Sequence, residues 1–255
     1  MNLSKRELFE FLEFKYDQYN NPSFIDSDPI SVPHQFTGKE DIEISGFLTA
    51  VISWGNRVSI IKDANKLMGM MDWSPHNFIL HSSTADLKPM EKFYHRTFNG
   101  IDTVFFVRSL KNIYQNHGGL EPLFKDIDQS GMKEAIIKFR DHFLEGKHES
   151  RSEKHLSDPA KGASAKRILM FLRWMVRDDK RGVDFGLWKK ISPEKLMCPL
   201  DVHSGNAARK LGLLDRKQND WKAVEELTLN LQRFDPTDPV KYDFALFGLG
   251  AIEKF

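Results

Sequence analysis

The sequence contains a single cysteine, Cys198, among its 255 residues. One thiol excludes an internal disulfide, a zinc site built from several cysteines and a cysteine-bound iron–sulfur cluster. Redox chemistry on a bound cofactor is therefore not expected.

Long apolar runs are also missing. Arg173 separates two of the longest, Ile168 to Phe171 and Trp174 to Val176, and both are far shorter than the roughly 20 residues that a bilayer span needs. The N-terminal segment carries acidic residues at helical spacing, such as Glu7 and Glu10, which a secretory or mitochondrial leader would not tolerate. We expect a cytoplasmic protein with no membrane partner.

The charges nearly cancel, since 37 Lys and Arg stand against 36 Asp and Glu. The net charge of +1 gives no global attraction for polyanions, so any nucleic-acid binding must use a local basic surface and backbone amides. Such a surface could come from the cationic residues Arg167, Arg173, Arg177, Lys180, Arg181, Lys189 and Lys190. A run of charges is more often only a solvated face.

Apolar residues recur at helical spacing along most of the chain, and alternating patterns are short. We predict an all-α protein. The predicted helices cover residues 8–19, 44–52, 61–71, 103–116, 136–143, 165–177, 204–213, 221–232 and 240–248. Ser192-Pro193 and Asp238-Pro239 each offer an N-cap acceptor followed by a proline suited to the first helical position.

The chain is interpreted as one helical unit that divides into two packed halves with a cleft between them. One half covers about residues 40–130, and the other combines about 1–39 with 131–255. The helix over 165–177 is apolar on nearly every side, which is typical of a central helix.

The segment GASAK places Gly162 four residues before Lys166, where this helix opens. A glycine allows a sharp turn, and the N–H groups of the first helical turn can then face an anion such as a phosphate. The helix dipole and partial burial would lower the pKa of Lys166 from about 10.4, and a neutral amine is a nucleophile. Taken alone, a lysine at this position is more often a surface cation that opens an ordinary helix.

The segment PLDVHSGNAARKLGLL places Asp201 before a short amphipathic helix. Asp201 can cap that helix, or it can act as a general base or electrostatic stabiliser beside Lys166. Asp201 and His203 could be two ligands of a metal, but no third ligand follows at a recognisable spacing, so no metal is expected.

Together these segments resemble the helix-hairpin-helix DNA glycosylase superfamily, in which a G-x-G-x-K hairpin precedes a V-D-T-H-V-like segment and a helix ending in R-L-G-L. Lys166 matches the hairpin lysine and Asp201 the aspartate of that motif. The segments FLTAVISWGNRVSIIKDANKL and DPVKYDFALFGLG are similar to an early helix pair and to the closing helix, and the likeness is nearest to the archaeal 8-oxoguanine DNA glycosylases. The chain also resembles a bacterial family of unknown function with FLRWMVR and PLD-x-H blocks.

The resemblance implies a DNA repair glycosylase with AP lyase activity that excises a damaged base, for example an oxidised purine, from double-stranded DNA. Lys166, helped by Asp201, would attack the sugar C1′ and form a Schiff base, with no cofactor and as a monomer. Gly162, Ser164 and His203 would contact DNA, as would Asn56 or Arg57. Four aromatic residues in or beside the matched segments could stack on the flipped base: Trp54, Phe98, Trp174 and Trp188. Core packing is the more common role of any one of them.

The sequence departs from the superfamily pattern at three points. Ser164 replaces the second hairpin glycine, the usual preceding proline is absent, and 35 positions separate Lys166 from Asp201 because residues 178–198 form an insertion. The insertion could move the two side chains apart or loop out. Two alternatives stay open: a non-catalytic DNA-binding protein of the same fold, and a helical interaction module without nucleic acid.

Overall fold

The computed structural model describes residues 3–255, and the prediction of a mostly α-helical protein is confirmed. The α-helices are α1 Lys5–Tyr19, α2 Lys39–Ile52, α3 Arg57–Gly69, α4 Pro75–His81, α5 Thr84–Leu87, α6 Gly100–Asn116, α7 Ile127–Phe143, α8 Lys166–Val176, α9 Val202–Lys210, α10 Trp221–Gln232 and α11 Asp243–Phe247. The strands within residues 3–255 are β1 Tyr94–His95 and β2 Phe98–Asn99, which pair antiparallel. None of the helices within this range combines the length and apolarity that a membrane crossing requires.

The chain forms two compact units. The central unit is Ile25–Leu156, and the split unit joins Met1–Phe24 to Ser157–Phe255. The sequence interpretation divided the chain near residues 39/40 and 130/131, whereas the structural boundaries fall at 24/25 and 156/157.

The central unit is built around phenylalanine. Phe106 of α6 packs against Phe143 of α7, with ring centroids 4.8 Å apart, and Phe47 of α2 contacts both rings. All three side chains are fully buried. Burying an aromatic side chain of this size stabilises the fold by roughly 1.5–3 kcal/mol, so this cluster fixes how α2, α6 and α7 pack.

The split unit is built around α8. Every residue from Ile168 to Val176 is buried, including Arg173. Trp188 from the following segment packs edge-on against Phe171 at 5.4 Å. α1 and α9 both pack against α11, so the helix N-terminal to the central unit completes this core.

Two predicted helix starts differ from the structure. Pro193 and Pro239 do open helical turns, but these are 3-10 turns, Pro193–Lys195 and Pro239–Tyr242, and neither Ser192 nor Asp238 caps its turn with its side chain. The Asp238 carboxylate binds Arg177 instead, with its Oδ1 2.9 Å from Nε. A hydrogen bond between two ionised groups is stronger than one between a carboxylate and a neutral backbone N–H group.

Candidate active site

Lys166 and Asp201 lie together in the split unit. The Nζ atom of Lys166 is 3.3 Å from Oδ2 of Asp201, and the two side chains are 28% and 29% exposed. Both groups are therefore held within the protein surface but remain accessible to a ligand. The segment 178–198 neither loops out nor separates the pair: Asp184 and Trp188 pack against α8, and Lys166 stays in contact with Asp201.

The turn before α8 holds Lys166 in place. Asp158 caps a 3-10 turn, Pro159–Lys161, and Gly162 follows in the left-handed region at φ 85°. The backbone N–H of Trp221 donates to the carbonyl of Gly162 at 2.9 Å, which ties the turn to the start of α10. The turn is thus fixed from both sides.

The N-cap of α8 is unusual. Ala165 occupies this position with φ 50°, a left-handed conformation that an alanine rarely adopts, and it is buried. Alanine has no side-chain acceptor, so the N-cap residue itself does not cap the first turn of α8. This helix start is therefore able to receive an anion from outside the chain.

The two oxygens of Asp201 have separate partners. Oδ1 accepts hydrogen bonds from the backbone N–H groups of His203, at 2.8 Å, and Ser204, at 3.0 Å, while Oδ2 faces Lys166. The Ser204 hydroxyl accepts from the backbone N–H of Asp201, which completes a capping box at α9. The expected cap and the expected contact with Lys166 thus occur in one residue.

Electrostatics keep Asp201 ionised. Burial of the carboxylate acts to raise its pKa, but the positive charge of Lys166 and the hydrogen bonds from Ser204 outweigh burial, so the pKa lies below its ordinary value. Asp201 is therefore a fixed negative charge beside the amine at neutral pH.

α9 is held by a close backbone approach. A Cβ at Gly250, in the π-helical segment Gly248–Ile252, would lie 2.3 Å from the backbone oxygen of His203. Only glycine fits such an approach, so Gly250 sets how near this segment lies to the start of α9. The position of Asp201 depends on this packing.

The predicted basic surface around α8 is wrong in part. Arg173 and Arg177 are 4% and 1% exposed and form ion pairs with buried acids. Asp184, from the segment 178–198, lies 2.5 Å from Arg177 Nη1 and 3.3 Å from Arg173 Nε. The two cations need carboxylate partners because a buried unpaired charge is very costly.

Three further predicted DNA-contacting residues belong to the split unit: Gly162 and Ser164 precede Lys166, and His203 follows Asp201. Gly162 and His203 are exposed, and the Ser164 hydroxyl is 3.4 Å from the carbonyl of Leu200, next to Asp201. The element before the Gly162 turn is a single 3-10 turn rather than an α-helix. Ser164 therefore connects the turn before α8 with the residue that precedes Asp201.

Trp174 and Trp188 are fully buried in the split unit, and Phe98 is fully buried in the central unit. With no exposed ring face, none of these three can stack on a base in this structure. Trp54, in the central unit, is only half-buried, and the Arg96 guanidinium lies 4.7 Å from its ring. Of the four aromatic candidates, Trp54 alone offers a partly accessible ring.

Asn56 and Arg57 also belong to the central unit. The Asn56 side chain accepts from the backbone N–H of Ser59 and caps α3. Arg57 is half-buried, and its guanidinium lies 3.4 Å from the carbonyl of Ser27. Both side chains have local structural partners.

Neither Asp201 nor His203 belongs to a group of three potential metal ligands in residues 3–255.

Sequence reasoning missed two residues that support Asp201: Ser204 of the capping box and Asn219, whose amide donates to the Asp201 carbonyl at 2.9 Å. The D-x-x-S spacing could have indicated Ser204. Nothing in the sequence indicates Asn219, which lies 18 positions away.

Comparison with known protein families identifies the family of the chain. A family model described as Protein of unknown function (DUF2400) matches residues 28–252, so the chain belongs to this family. Comparison with curated proteins and with solved structures gives no match.

Proposed function

We propose that the protein is a DNA repair glycosylase with AP lyase activity, in which Lys166 is the nucleophile. The observation that carries the proposal is the 3.3 Å approach of Lys166 Nζ to Asp201 Oδ2 at an accessible site. An amine and a carboxylate held together suit nucleophilic substitution at a carbon that develops positive charge. The helix-hairpin-helix element and the cleft that the sequence predicts are part of this proposal.

The uncapped start of α8 would bind a DNA phosphate. Its N-cap residue, Ala165, supplies no side-chain acceptor, and a helix N-terminus attracts an anion through its dipole. Phosphate contacts position a duplex without reading its sequence, as a damage-specific enzyme requires.

The chemistry follows from the two side chains. The Lys166 amine attacks C1′, the C1′–N bond breaks and its electron pair leaves with the base. Asp201 stabilises the positive charge that develops on the sugar and accepts a proton from the attacking amine. The sugar ring then opens to a Schiff base on Lys166, and loss of a C2′ proton expels the 3′ phosphate and nicks the strand.

A strand-cleavage assay tests the proposal on a duplex that carries one 8-oxoguanine. The wild-type protein should release the base and nick the strand without alkali. Lys166→Gln should abolish both products, and Lys161→Gln, which removes an exposed lysine of the preceding turn, should retain them. A wild-type protein that binds the duplex but cleaves neither this substrate nor an abasic one would instead favour the non-catalytic DNA-binding alternative.

A further inference from the structure

Two histidines and a glutamate meet in the central unit, where α6 and α7 end. His117 is the C-cap of α6, His142 lies in the last turn of α7, and Glu145 follows two residues after that helix. One potential ligand atom from each residue lies within 4.8 Å of the others. We propose that this His117–His142–Glu145 cluster binds a divalent transition-metal ion of the Zn²⁺ type.

The distances suit such an ion. His142 Nδ1 is 2.8 Å from Glu145 Oε1, and His117 Nε2 is 3.9 Å from Glu145 Oε2. Zinc binds nitrogen and carboxylate oxygen at about 2.0–2.2 Å in a tetrahedron, which places neighbouring ligand atoms roughly 3.3 Å apart. Small side-chain rotations bring the three atoms to these positions, because the residues lie at helix ends rather than inside the core.

The donor set selects the class of ion. Two imidazoles with one carboxylate suit Zn²⁺ and its neighbours in the first transition row, whereas Mg²⁺ and Ca²⁺ prefer all-oxygen sites. With three protein ligands, water occupies the fourth position. The exposure of the three side chains, 26%, 42% and 49%, leaves room for it.

The surrounding backbone also favours a cation. The carbonyl groups at the end of a helix carry partial negative charge, and the cluster lies at the ends of two helices. The Glu145 carboxylate adds a full negative charge. A bound ion would therefore join the ends of α6 and α7 to the segment that follows α7.

This proposal is independent of the glycosylase proposal, since all three ligands belong to the central unit and Lys166 belongs to the split unit. A metal ion that crosslinks two helices stabilises the folded state in proportion to its occupancy.

Calorimetric titration of the full chain with Zn²⁺ alone tests the site, and Co²⁺ absorption reports its geometry. We expect one Zn²⁺ per chain, a higher melting temperature with Zn²⁺, and the strong visible absorption of four-coordinate Co²⁺. His142→Ala and Glu145→Gln should each weaken binding at least tenfold and remove the Co²⁺ signal.

His81→Ala is the matched control, because it removes an exposed histidine at the end of α4 in the same unit. It should bind Zn²⁺ as the wild type does. Circular dichroism checks that each variant is folded. If His142→Ala does not fold, the near-isosteric Glu145→Gln tests the site alone. Wild-type binding no tighter than that of the cluster variants, or equal weakening in His81→Ala, would overturn the proposal.

Discussion

Asp201 directs one carboxylate oxygen at its own helix and the other at Lys166. Oδ1 caps α9 through the N–H groups of His203 and Ser204, and Oδ2 lies 3.3 Å from Lys166 Nζ. The capping interaction fixes the side chain, so the orientation of Oδ2 is set before any ligand arrives. Preorganised charge of this kind is what electrostatic catalysis requires.

Asp201→Asn separates these two roles. Asparagine is as good an N-cap as aspartate, so the variant should keep the stability of α9. It removes the negative charge beside Lys166, and base excision should fall by roughly 10²–10³-fold, the usual effect of losing one preorganised electrostatic group. Single-turnover excision and duplex binding are the measurements. Excision at the wild-type rate in a folded Asp201→Asn protein would remove Asp201 from the mechanism.

Arg177→Met tests the ion pairs behind α8. The substitution removes the 2.5 Å partner of the buried Asp184 carboxylate, which keeps only the 3.3 Å contact with Arg173. Removing one member of a buried pair typically costs about 3–5 kcal/mol of unfolding free energy. Urea denaturation should show a loss of that size.

Arg6→Ala is the control for this experiment. Arg6 pairs with Glu10 on the exposed face of α1, and such surface pairs contribute little to stability. It should leave the urea midpoint unchanged. Equal effects of Arg6→Ala and Arg177→Met would show that the buried network is not a source of stability.

Asp235 gives the fold a defined dependence on acid. Burial acts to raise its pKa, but hydrogen bonds from Lys241, Thr237 and the backbone of Asp238 outweigh burial and lower that pKa from 3.8 to about 2. Because the folded-state pKa is the lower one, its stabilisation is complete above pH 4 and is lost as the pH falls towards 2. The depression corresponds to about 2 kcal/mol.

The comparison of wild type with Asp235→Asn checks this prediction. The difference in unfolding free energy should be constant from pH 5 to 7 and should shrink below pH 4. Asp128→Asn, at an exposed position of α7, is the control for the Asp-to-Asn substitution itself. A wild-type advantage over Asp235→Asn that grows on acidification would contradict the assignment.

Gly250→Ala tests the packing that positions α9. The new Cβ would meet the His203 backbone at 2.3 Å, so the π-helical segment and α9 must move apart. Overpacking of this kind costs typically 1–3 kcal/mol. The melting temperature should fall, and excision should fall with it because Asp201 moves relative to Lys166.

Gly69→Ala is the matched substitution. Gly69 ends α3 with an exposed surface, and its added Cβ would meet only the Trp73 ring nitrogen, at 3.8 Å. Alanine is the better helix former, so this variant should be as stable as the wild type or slightly more stable. A Gly250→Ala protein as stable as Gly69→Ala would show that the close approach to His203 is not required.

The sequence predicted most of the helices, since their apolar periodicity is strong, and it predicted both members of the Lys166–Asp201 pair. It did not predict that Arg173 and Arg177 are buried, because their partner Asp184 lies in a segment without periodicity. It also gave no sign of the His117–His142–Glu145 cluster, whose members meet only where two helices end. Local pattern shows which residues form a helix, whereas charge pairing and helix-end contacts depend on packing.

The most direct test of the central claim is borohydride trapping on a duplex that carries 8-oxoguanine or an abasic site. Borohydride reduces a Schiff base to a stable covalent adduct, so the wild-type protein and Lys161→Gln should each give a protein–DNA band, and Lys166→Gln should give none. Peptide mapping should place the adduct on Lys166. A wild-type protein that is folded and bound to either duplex but yields no adduct, or an adduct that persists in Lys166→Gln, would contradict the proposed role of Lys166.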